Sequence, residues 1–147
     1  MQTAASLASL ASLAQWVVRI TGITQVVLGL LFWTNRAFRL VPLHMAIGLA
    51  FVIAIWVLAA VAARTGVAPW LALLGGAWGI LVLALGITQG RLLPGPMHWI
   101  VKVLHLLVGF AAMVLAARLG AQIRKRRGGE RSTEFQAHGG MRFRVGQ

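Results

Sequence analysis

The sequence predicts an all-α fold: an integral-membrane four-helix bundle built from two repeated helical hairpins. Three observations predict it. Hydrophobic residues make up 59% of the 147-residue chain and charged residues only 11%, too little polar surface for a soluble domain of this size. Four apolar runs are each long enough to cross about 30 Å of hydrocarbon. The pattern Leu-His-x-x-x-Gly-x-Ala occurs near the start of the second run and of the fourth, at residues 43–50 and 104–111.

Residues 1–14 are rich in Ala, Ser and Leu, with Leu7, Leu10 and Leu13 recurring every third residue. This segment reads as a weak amphipathic helix on the membrane surface, as an extension of the first span, or as disordered chain. It lacks the positive n-region of a cleavable signal peptide. The transmembrane domain covers residues 15–123. Its first span runs from Trp16 to Trp33. The second starts near Pro42, a suitable helix-opening residue, and ends near Arg64. The third runs from Pro69 to Thr88, and the fourth opens near Pro96 and continues into residues 121–123. Asn35, Thr65-Gly66 and residues 90–96 have turn character. Trp16, Trp33, Trp70 and Trp99 fall at span ends, where an aromatic belt forms.

Residues 124–147 form a basic tail. Arg124, Lys125, Arg126, Arg127, Arg131, Arg142 and Arg144 are half of the 14 Lys and Arg. The net charge of +12 therefore reads as a cytoplasmic membrane flank rather than a nucleic-acid surface. The Gly128-Gly129 and Gly139-Gly140 pairs and the lack of apolar periodicity predict little independent structure there, and His138 in that tail reads as inert. A cytoplasmic C-terminus and four spans put the N-terminus in the cytoplasm too, in a bacterial inner membrane. Arg36, Arg39 and Arg91 in the opposite loops weaken this charge bias. On this orientation His44, His98 and His105 lie toward the outer half of the membrane.

Composition excludes several chemistries. With no cysteine, disulfides, thiolate nucleophiles, iron–sulfur clusters and covalently attached c-type haem are absent. Both acidic residues, Glu130 and Glu134, lie in the tail. Carboxylate proton relays, acid–base pairs and hard-metal sites within the bilayer lose their usual residues.

The histidine motifs belong to a longer internal similarity. Gly22 and Gly29 in the first span are seven apart, as are Gly79 and Gly86 in the third, and each pair precedes a histidine-bearing span. Small residues alone serve close helix packing. Histidine is different, because a polar ligating side chain in a bilayer is costly and marks a functional site by default.

Two neutral imidazoles on facing helices are what a b-type haem requires. Span two supplies His44 with Gly48 one turn on. Span four supplies His98, Lys102, His105 and Gly109 on one face, at spacings of four, three and four. His44 lies twenty residues before Arg64. Counting back from Arg118 selects His98 as its equivalent at twenty residues, and counting back from Arg124 selects His105 at nineteen. The repeat alignment selects His105, so the expected axial pair is His44 with His105. Lys102 suits a haem propionate, with Arg36 and Arg39 available from the outer loop. Each has a simpler reading: Lys102 snorkelling to headgroups, His98 as an interfacial polar residue beside Trp99, and the histidines as interhelical hydrogen-bonding groups. Bacteriochlorophyll magnesium is the alternative ligand. Copper or zinc has only Met45 and Met97 as further soft donors nearby.

These residues resemble one half of a heme A synthase. That family is similar in plan: two fused four-helix bundles, each with histidines on its second and fourth helices facing one haem position. The stretch from Gly75-Gly76-Ala77-Trp78-Gly79 through His105-Leu106-Leu107-Val108-Gly109 has the layout of the third and fourth helices of such a half. The resemblance covers residues 16–120 and implies His44 and His105 as axial ligands. The family has arginine after its second-helix histidine, where Met45 stands here. Its catalytic half carries an acidic residue in the membrane, and here there is none. The resemblance thus implies haem binding without oxidative synthase activity.

Two functional readings follow. One is a small membrane cytochrome with one haem b near the outer face, relaying electrons between a quinol pool or partner subunit and an extracytoplasmic carrier within a larger complex. The other is a non-catalytic accessory subunit of a respiratory or photosynthetic complex, ligating bacteriochlorophyll or no cofactor. A transporter fits least, since no span is broken and no intramembrane carboxylate couples ions.

Overall fold

The computed structural model describes the backbone of residues 2–34 and 36–144, and the side chains of residues 5–34, 36–129 and Thr133. Asn35 and the side chains of Glu130, Arg131, Glu134, His138, Arg142 and Arg144 lie outside the described residues. The described residues contain no strand. Four helices follow in order: α1 (Gln2–Trp33), α2 (Val41–Arg64), α3 (Pro69–Thr88) and α4 (His98–Arg144). Each contains a stretch long and apolar enough to cross a membrane.

Helix starts follow proline. Pro42 stands in the first turn of α2 and Pro69 opens α3, where a missing N–H costs nothing and φ is already helical. The α2 end is a Schellman closure. Gly66 takes the left-handed conformation at φ 68°, and the Val67 N–H donates to the Ala62 carbonyl at 3.2 Å. Pro96 does not open α4. It lies in the preceding turn, after Gly95 at φ 90°, and the helix begins at His98. The α1–α2 and α3–α4 connections each contain a short 3-10 turn, Phe38–Leu40 and Gln89–Arg91.

The two ends of the chain differ in how they meet expectation. Residues 2–14 continue α1 without a break, so of the three readings the helical extension is the one observed. At the other end α4 does not stop near residue 123 but runs to Arg144. Arg, Lys, Gln and Glu are good helix formers and no proline intervenes. The two glycine pairs cost only about 1 kcal/mol per residue against alanine, which an established helix tolerates.

Consecutive helices pack side by side, α1 also meets α4, and α2 touches α4 across the bundle. The core occupies one end. Its fully buried members include Val52, Ile55, Leu58, Leu119 and Ile123, with Ala11, Ala14, Ala54, Ala62, Ala112 and Ala116 between them. The alanines let backbones approach closely, which is how helices associate where water does not drive burial. No fully buried member of this cluster comes from residues 19–50 or 73–111. At the opposite end only Leu28, Leu85 and Val101 are buried hydrophobics among the described residues. That sparsely packed end is where α2 and α4 begin and both histidine motifs lie.

Trp56 and Trp78 stitch the bundle across its middle. The Trp56 indole N–H donates to the Gly76 carbonyl and the Trp78 indole N–H to the Val108 carbonyl, each at 3.1 Å. Both bridge helices, a role the sequence reading did not assign.

Candidate functional site

α2 and α4 enter the bundle side by side, and each presents its motif histidine toward the other. The ring centroids of His44 and His105 are 6.4 Å apart, with an interplanar angle of 51°. Both rings are partly exposed, yet Nδ1 of each is enclosed and has no hydrogen-bond partner among the described residues. An enclosed polar atom without a partner costs about 1–3 kcal/mol. A ligand bonded to both Nδ1 atoms would remove that cost at two places at once.

The spacing fits one metal between two imidazoles. Bonds of about 2 Å, plus about 1 Å from each nitrogen to its ring centre, put the centroids of two opposed ligands about 6 Å apart. Rotation about the ligand axis leaves the interplanar angle free. No three His, Cys, Asp or Glu come together in a metal-sized group among the described residues. Two imidazoles are fewer than the three or four protein donors that a bare zinc ion takes.

The walls are mixed. Phe32 of α1 meets the His44 ring edge-on at 5.3 Å and stacks on Phe38 at 6.3 Å, so the α1–α2 connection folds over one side. On α3, Gly86 faces His105: a Cβ there would stand 3.7 Å from the ring's Cε1. Gly109, one turn beyond His105, has nothing within 4 Å of an added Cβ, and neither has Gly29. Gly48 differs. The Gln25 amide covers it, with Nε2 2.6 Å from where a Cβ would be, and the Gln25 Oε1 is a third enclosed, unpartnered atom. Gln25, Gly29 and Phe32 share one face of α1 at spacings of four and three.

The remaining candidates are placed as follows. His98, the first residue of α4, has its Nδ1 3.1 Å from the Leu92 carbonyl oxygen. It anchors the α3–α4 connection, and the ring beside His44 is that of His105. Lys102 is partly exposed and has no ion pair among the described residues. Arg36 and Arg39 are exposed in the α1–α2 connection at the same end of the bundle. Two non-glycine residues in these connections, Ala37 (φ 63°) and Leu93 (φ 44°), hold left-handed conformations.

Sequence reasoning missed Gln25 and Phe32. A signal for Gln25 existed: it is a primary amide within an apolar span, seven residues before Phe32 on the same helical face. The chain matches no family model, no curated protein and no solved structure.

Proposed function

We propose that the chain is a small integral-membrane b-type cytochrome. It holds one haem between α2 and α4 and relays electrons as a subunit of a larger complex. The observation that carries this reading is the His44–His105 pair: two imidazoles on facing helices, 6.4 Å between ring centres, with both Nδ1 atoms enclosed and unpartnered. His44 and His105 would hold its iron. Gly109 and Gly29 leave open space beside them, and Gln25 swings from Gly48 to give a flat macrocycle room. Lys102, one turn before His105, and Arg36 and Arg39 supply positive charge for the propionates.

Held by His44 and His105, the haem would supply one-electron transfer rather than activation of a small molecule. The chain's own part is to fix both rings, keep water from them and set the potential through the apolar surroundings. The absence of acidic residues before residue 130 supports a relay rather than proton-coupled catalysis. Electrons come from a membrane quinol or partner subunit and leave to an extracytoplasmic carrier. The four helices cross a bacterial inner membrane with both termini in the cytoplasm, a reading supported by the seven basic residues of the tail.

Substitution tests the ligand pair. His44→Ala or His105→Ala removes the b-type absorbance of the purified protein, and His98→Ala keeps it. A spectrum unchanged in both His44→Ala and His105→Ala contradicts the proposal.

A further inference from the structure

Arg19 lies in the apolar part of α1, Ala5–Trp33, one turn beyond Gln15. The side chain is exposed on the outside of the bundle. Its guanidinium turns back over Trp16, with Cζ 5.5 Å from the ring centroid, so the charge is directed toward the end of the bundle away from the histidines. Beside it, between α1 and α4, runs a groove of about 250 Å³ lined by Gln15, Arg19, Phe110, Met113, Val114 and Ala117, among others.

A second cation stands at the same end of that groove. Arg124 donates through Nη1 to the Gln15 side-chain oxygen. Gln15 is seated over Gly120, where any Cβ would collide with it. Gln15 and Arg19 are one turn apart on α1 and both line the groove, so Arg19 and the Gln15-bound Arg124 belong to the same end of it. Neither cation has an ion pair among the described residues, and the side chains of the acids Glu130 and Glu134 lie outside them. A cation at the edge of hydrocarbon snorkels or meets an anion, and an anion from another molecule would meet both.

We propose that this groove binds an anionic glycerophospholipid. The phosphate lies between Arg19 and Arg124, and one acyl chain runs along Phe110, Met113, Val114 and Ala117. Charge and shape select the occupant. A free anion leaves the apolar wall uncovered, and an apolar helix leaves both guanidiniums unpaired. An amphiphile with an anionic head satisfies both. Basic pockets between membrane helices recognise lipid headgroups on this principle. The inference rests on the reading that the helices cross a bilayer and not on the haem.

The test uses the full-length protein in phosphatidylcholine vesicles doped with phosphatidylglycerol, extracted gently, with retained lipid counted by native mass spectrometry. Wild type keeps one phosphatidylglycerol per chain in preference to phosphatidylcholine, and excess inorganic phosphate does not displace it. Arg19→Gln lowers that retention at least tenfold. Ala117→Phe, which fills the groove and leaves both guanidiniums in place, lowers it likewise. Arg126→Gln with Arg127→Gln, on the basic tail, leaves it unchanged. Equal retention of the two lipids by wild type overturns the proposal. So do displacement by inorganic phosphate, retention unchanged in both groove variants, and loss in the tail variant alone. Failure of the chain to float with pure phosphatidylcholine vesicles contradicts the bilayer reading itself, and is scored separately.

Discussion

Individual side chains decide what this bundle can hold. Gly79 shows how tight the middle is: an added Cβ would run into the Trp56 indole, a large rigid group tied to the Gly76 carbonyl. Gly79→Ala is expected to cost about 1–3 kcal/mol, the range for overpacking, read as a lower midpoint in thermal unfolding in detergent. Gly109 is the opposite case, since nothing lies within 4 Å of its added Cβ. Gly109→Leu is expected to stabilise haem-free protein by up to about 1 kcal/mol, the helix-propensity gain, while cutting haem content at least twofold. Unchanged haem content would show that the space beside His105 is not where the macrocycle sits. Ala37 holds a left-handed conformation at φ 63°, which costs an alanine about 1–2 kcal/mol. Ala37→Gly is therefore expected to stabilise the protein by about 1 kcal/mol, and a loss of stability on the same assay would contradict that.

At the scale of elements, the α3–α4 contact depends on polar stitching as well as packing. Trp78→Phe removes the hydrogen bond to the Val108 carbonyl and is expected to cost about 0.5–1.5 kcal/mol. No change in thermal midpoint would show that the ring alone carries the contact. Element boundaries were legible where backbone chemistry is local. Pro42 and Pro69 mark the starts of α2 and α3, and Thr65-Gly66 marks the end of α2. They were illegible where the signal is cooperative. No single residue near 123 stops α4, so a helix started at His98 propagates into polar sequence that would not start one. The His44–His105 proximity is a product of crossing geometry, which hydrophobic periodicity does not encode. Counting from the basic residues leaves two partners for His44; the repeat alignment selects His105, and the structure brings that ring beside His44. Gln25 over Gly48 depends on helix rotation, which an almost uniformly apolar α1 leaves unspecified.

Across the whole molecule, packing is divided. The buried core gathers where α2 ends and α3 begins, and the histidine end has three buried hydrophobics outside it. Local opening follows packing. In haem-free protein, amides of residues 20–50 and 79–110 are expected to exchange faster than those of residues 51–72 and 112–123, and haem is expected to slow the first group selectively. Uniform exchange with and without haem would mean that no cofactor completes this end. The proposed haem b between the imidazoles of α2 and α4 is read out by a pyridine haemochrome assay on wild-type protein purified from haem-replete cells, together with a reduced-minus-oxidised spectrum. The expected result is a b-type signal at one haem per chain. Colourless protein from those cells would overturn the proposal.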